Sequence, residues 1–112
     1  MKISFEQQAN ALKINLEGRL DAAGTGAVEA EFASRCAAKP NVIVDMSKVP
    51  FVASIGIRML VAGSQAQSKI GGKMVLFKPD DATRRIFKTT GVDKLLPIHD
   101  DLNAVVAALG AK

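Results

Sequence analysis

The chain contains no tryptophan and no tyrosine, and only five phenylalanines in 112 residues. Its core must therefore be aliphatic, built from Val, Ile, Leu, Ala and Met. The same scarcity argues against a surface that stacks bases or sugars on rings. The single cysteine, Cys36, excludes an intrachain disulfide, and with one histidine, His99, a Cys/His zinc site lacks ligands. Cys36 lies one helical turn after Phe32 on an apolar stripe, which reads as a buried thiol behaving as a small hydrophobe. No apolar run approaches the roughly 18 residues of a membrane span. The start, Met1-Lys2-Ile3-Ser4-Phe5-Glu6, lacks the pattern of a signal peptide. The expectation is a cytoplasmic protein with no direct membrane insertion.

Charge of one sign is also in short supply. Fifteen basic against eleven acidic residues leave a net charge of +4. Arg84, Arg85 and Lys88 form the one local cluster, which reads as a solvated helix face, so no nucleic-acid partner is expected.

Hydrophobic periodicity is plentiful. Residues 2–8 and 11–18 read as two strands joined around Ala9-Asn10. In the second, Leu12, Ile14 and Leu16 alternate with Lys13, Asn15 and Glu17. Gly24-Thr25-Gly26 reads as a turn leading into a helix over about 26–38, with Val28, Phe32 and Cys36 inward, stopped by Lys39-Pro40-Asn41. Val42-Ile43-Val44 suits a strand covered on both faces. A helix follows from about Ser54 to Ile70, with Ile57, Leu60, Val61 and Ser64 on one face and Gly71-Gly72 closing it. Met74–Phe77 reads as a strand, 81–89 as a helix carrying Ile86 and Phe87 inward, and Leu95–Ile98 as a last strand. A final helix from about Asp101 to Leu109 carries Leu102, Val105, Val106 and Leu109 inward. The order β-β-α-β-α-β-α-β-α predicts one α/β domain over residues 1–112. Its sheet is mixed and mostly parallel, with four to five strands and about four helices.

Reactive chemistry is thin. His99 has no evident triad partner and reads as a surface loop residue. Gly71-Gly72-Lys73 fails the phosphate-loop pattern, because Met74 follows the lysine, and Gly24-Thr25-Gly26 lacks a third glycine. No catalytic residue, metal or cofactor is expected, and an enzyme ranks last. Asp21 and Asp45 follow strands. They can line a ligand crevice at the strand ends, which would make the chain a small-ligand or nucleotide sensor, or they can simply bond nearby backbone N–H groups.

Ser54 stands at a loop-to-helix junction. A serine there can cap the helix, or it can accept a phosphoryl group where unpaired N–H groups and the helix dipole favour negative charge. Arg58, one turn on, is placed to support that charge. Val52, Ala53, Ile55 and their neighbours would form a small, partly apolar docking surface around it.

The run Asp45-Met-Ser-Lys-Val-Pro-Phe-Val-Ala-Ser54-Ile-Gly56-Ile-Arg-Met-Leu60 resembles the signature of STAS domains, in particular bacterial anti-sigma-factor antagonists. Their pattern is a strand, Asp-Leu-Ser, then a loop ending in Phe-Ile-Asp-Ser-Ser/Thr-Gly-Leu, then a helix. Gly18-Arg-Leu-Asp21 resembles the family's Gly-Glu-Leu-Asp. Ile70-Gly-Gly-Lys-Met-Val-Leu76 and Thr90-Gly91-Val-Asp-Lys-Leu-Leu96 resemble its later elements. The resemblance implies a non-catalytic module that sequesters an anti-sigma factor with serine kinase activity. That kinase phosphorylates the signature serine, Ser54 by position, and a PP2C-type phosphatase reverses it. The partner-binding residues it implies are Asp21, Val52, Ala53, Ser54, Ile55, Gly56 and Arg58. Two positions depart from the pattern: Ala53 replaces the signature acid and Ile55 replaces a hydroxyl residue. Both favour an alternative, an unphosphorylated STAS accessory subunit of a membrane lipid-transport complex.

Overall fold

The computed structural model of the chain describes residues 1–8, 11–38 and 41–108. The expected turn at Ala9-Asn10, the helix stop at Lys39-Pro40 and the inward Leu109 lie outside the described residues, as does the side chain of Val106. Five strands form one sheet in sequence order: β1 (Lys2–Gln8), β2 (Ala11–Glu17), β3 (Asn41–Lys48), β4 (Lys73–Phe77) and β5 (Ile98–His99). β1 and β2 pair antiparallel with Phe5 opposite Ile14, and the other pairs are parallel. Four α-helices connect or follow them: α1 (Ala22–Ala38), α2 (Ser54–Lys69), α3 (Asp81–Thr90) and α4 (Leu102–Ala108).

The period of two along the strands sorts the core into two layers. Leu12, Ile14 and Leu16 of β2, Val42, Val44 and Met46 of β3, and Met74 and Leu76 of β4 face one side. There they pack with Val28, Phe32 and Cys36 of α1, Leu60 of α2 and Phe87 of α3. Ala11, Ile43 and Val75 face the other side and pack with Val105 of α4. The Val42–Val44 run is thus buried on both faces, as its unbroken hydrophobicity predicts. Each fully buried aliphatic or Phe side chain stabilises the fold by about 1.5–3 kcal/mol.

Three boundaries and one helix face differ from expectation. α1 starts at Ala22, so Gly24 and Thr25 are buried inside its first turns. A Cβ on Gly24 would lie 2.0 Å from the Arg19 carbonyl oxygen, so glycine is there for close approach rather than for a turn. β3 runs on to Lys48, which places Asp45 inside the strand. On α2 the buried face is Gly56, Met59, Leu60, Gly63 and Gln67, while Ile57, Val61 and Ser64 are half-buried at its margin. A Cβ on Gly63 would meet Phe32, Met74 and Cys36 within 3.0 Å, so α2 turns its small residues inward to sit close to α1. Finally, Val92–Lys94 forms a single 3₁₀ turn and Leu95 is 64% exposed, so the last strand is only Ile98–His99. Pro97, which has no N–H, still gives its carbonyl to Leu76 N–H.

Candidate functional site

The segments that leave β2 and β3 stay paired after the strands end. Gly18 N–H donates to the Lys48 carbonyl (3.0 Å), Leu20 N–H to Phe51 (2.9 Å) and Ala53 N–H to Leu20 (3.0 Å). Leu20 and Val52 form an isolated parallel bridge, and both are buried. These bonds bring the first turns of α1 and α2 to the same end of the sheet. The fit is close. A Cβ on Gly56 would lie 2.6 Å from Leu20 Cγ and 2.8 Å from the Leu20 carbonyl oxygen, so only glycine lets this turn of α2 rest on the Leu20 segment.

Ser54 is not the helix cap. Ala53 occupies that position with extended backbone and no side-chain hydrogen bond, and Ser54 is the first helical residue. Its side chain is exposed and has no hydrogen-bond partner among the described residues. The first turn of α2 also carries no acidic residue. α1 and α3 are served differently. Asp21 Oδ1 accepts from Gly24 N–H (2.8 Å), and Asp80 Oδ1 accepts from Thr83 N–H (2.8 Å). The positive end of α2 is therefore left without a side-chain acceptor, next to an exposed hydroxyl. Arg58 lies four residues on and is exposed, the spacing that puts two side chains on one helix face.

Around Ser54 the surface is apolar and basic. Phe51 is 36% exposed and Ile55 38% exposed. The Arg19 guanidinium carbon sits 4.3 Å from the Phe51 ring centroid, and Arg19 Nε lies 3.5 Å from the Asp21 carboxylate. Of the expected surface, Asp21, Ala53, Ser54, Ile55 and Arg58 come together here with solvent access. Val52 and Gly56 are buried, so they support the surface rather than form it. Phe51 and Arg19, which also lie on this surface, were not singled out from the sequence. Phe51 had a signal, as one of few aromatics beside Pro50, whereas the Arg19 stack depends on loops from two different strands.

Asp21 and Asp45 do not converge. The Gly24 N–H holds the Asp21 carboxyl below its ordinary range against some desolvation, and Arg19 adds to this. Asp45 pairs instead with Lys13 Nζ (3.4 Å) on the sheet face opposite α1 and α2. Its Oδ1 accepts from Ser47 N–H (2.9 Å) and Ser47 Oγ (2.6 Å). Partial burial pushes the Asp45 carboxyl up, but the Ser47 bonds and the Lys13 ammonium outweigh it and the net direction is down. Both acids bond nearby backbone N–H groups, and Asp45 also lines a polar cavity with Lys13, Asn15 and Lys48 that Asp21 does not reach. His99 lies half-buried in β5 rather than in a loop. Cys36 is fully buried, and desolvation pushes its thiol up to about 12. Among the described residues no group of three His, Cys, Asp or Glu side chains is placed to hold a metal ion, and no helix is long and apolar enough to cross a membrane.

Known proteins resemble this chain over most of its length. BtrV of Bordetella bronchiseptica, a candidate anti-sigma factor antagonist by its name, is 23% identical over 109 residues, covering 96% of this chain and 94% of BtrV. The crystal structure of an anti-sigma factor antagonist from Mycobacterium paratuberculosis superposes with a TM-score of 0.86 at 25% identity, over 97% of this chain and 93% of that one. The Bacillus cell fate determinant SpoIIAA in its phosphorylated form shares the fold at 17% identity with a TM-score of 0.71, over 96% and 99% of the two chains. The family model for the STAS domain matches residues 2–105, and the chain belongs to the STAS domain family.

Proposed function

We propose that this chain is an anti-sigma-factor antagonist, a cytoplasmic binding module without enzymatic activity of its own. It sequesters an anti-sigma factor kinase while Ser54 is unphosphorylated, and a PP2C-type phosphatase restores that state. The observation that carries the reading is the exposed, unbonded Ser54 hydroxyl at an uncapped helix N-terminus, set between Phe51 and Ile55. The names of its relatives support the class of partner.

The switch follows from charge. A phosphoryl group adds about −1.5 to −2 charge and three acceptor oxygens. The free N–H groups of the first turn of α2 and Arg58 can hold it without melting the helix. A partner packed on Phe51 and Ile55 would then have to desolvate a dianion, at a cost of several kcal/mol.

Calorimetric titration of the Ser54→Ala and Ser54→Asp variants against the kinase tests this. Ala is expected to bind like the wild type. Asp is expected to bind at least tenfold more weakly, about 1.4 kcal/mol. Equal affinities for the two variants would sink the switch. The second reading, an unphosphorylated accessory subunit of a lipid-transport complex, draws on Ala53 and Ile55, which make this surface more apolar. It predicts co-purification with membrane transporter subunits and an unmodified Ser54.

A further inference from the structure

We infer that the partner presents an apolar pocket rimmed by carboxylates, and that Phe51, held in place by Arg19, fills it. This rests on the partner-switch reading above. Phe51 and Ile55 are large hydrophobic side chains that stay exposed, one on each side of Ser54. Phe51 is not loose. Arg19 stacks on its ring at 4.3 Å, Asp21 holds Arg19 at 3.5 Å, and the Phe51 carbonyl accepts from Leu20 N–H. An exposed aromatic ring fixed in advance loses little freedom on binding, and aromatic side chains and Arg are both enriched at protein interfaces.

Charge sets the partner's chemistry. Asp21 is already engaged by Gly24 N–H and Arg19. Arg58 is exposed and makes no ion pair among the described residues, and the N-terminus of α2 adds positive partial charge with no capping acid. The rim of the apolar patch is therefore positive, and its complement is acidic. Arg58 serves both states. It faces a partner carboxylate when Ser54 is bare, and it turns to the phosphate, four residues back on its own helix, when Ser54 is modified.

The test is calorimetric titration of the purified chain against each purified anti-sigma factor kinase domain of the same genome, at low and high salt. Phe51→Ala and Arg58→Glu should each weaken binding at least tenfold, and wild-type affinity should fall as salt rises. Both side chains are exposed, so thermal unfolding should show both variants folded. If the wild type binds and both variants bind within twofold of it, this inference fails while the switch reading stands. Wild-type binding that strengthens with salt would also overturn the acidic rim. A wild type that binds no kinase overturns both.

Discussion

The separation between Asp21 and Asp45 decides what each carboxylate does. Asp21 caps α1 on the side of Ser54, and Asp45, inside β3, bonds Ser47 and pairs with Lys13 on the opposite face. Asp45 therefore contributes to stability, and that contribution has a definite pH sense. Its folded-state value lies below the ordinary 3.8. The stabilisation is thus fully present above about pH 4 and disappears as pH falls through the folded value. Asp45→Asn should cost roughly 1 kcal/mol at pH 7, a figure kept small by solvent screening of the pair. The cost should shrink as pH falls through the folded value. Urea unfolding at pH 7 and at successively lower pH checks this, and a loss that does not change with pH would contradict it.

Among the elements, the alternation of Leu12, Ile14 and Leu16 and the doubly buried Val42–Val44 run were legible because burial writes itself directly into periodicity. What was not legible depended on contacts between segments. Gly24 reads as a turn signal in one dimension, yet it sits inside α1 because the Arg19 carbonyl comes so close. Leu95-Leu96 reads as strand, but only Leu96 is buried, since the chain makes a 3₁₀ turn before Pro97. Ser54 reads as a cap, but the Ala53 N–H bond to Leu20 holds Ala53 in the cap position, so the helix starts one residue earlier than a Ser54 cap requires. The Ser54 motif was readable as a pattern, but the stack of Arg19 on Phe51 beside it was not, because two loops build it. The joint of those loops is Gly56. Gly56→Ala would place a Cβ 2.8 Å from the Leu20 carbonyl oxygen, and backbone cannot swing aside as a side-chain tip can. We expect a loss of about 1–3 kcal/mol in urea unfolding, together with weaker partner binding. An unchanged midpoint would show that the Leu20 segment is free to move.

On the scale of the whole molecule, the sheet and helices hold two neighbouring strand exits in register and so present one small surface. α1, α2 and α3 cover one side of the sheet, α4 covers part of the other, and the exits of β2 and β3 carry Arg19, Phe51, Ser54 and Ile55 at one end. The helix whose N-terminus carries Ser54 has neither a side-chain cap nor an acid in its first turn, so the fold itself leaves a place for added negative charge. A phosphoryl group on Ser54 would fill this place. Phosphopeptide mass spectrometry of the protein isolated from its native cells, with and without stress, tests whether it does. A phosphate on Ser54 whose occupancy changes with condition is the expected result. Ser54 unmodified in every condition would contradict it.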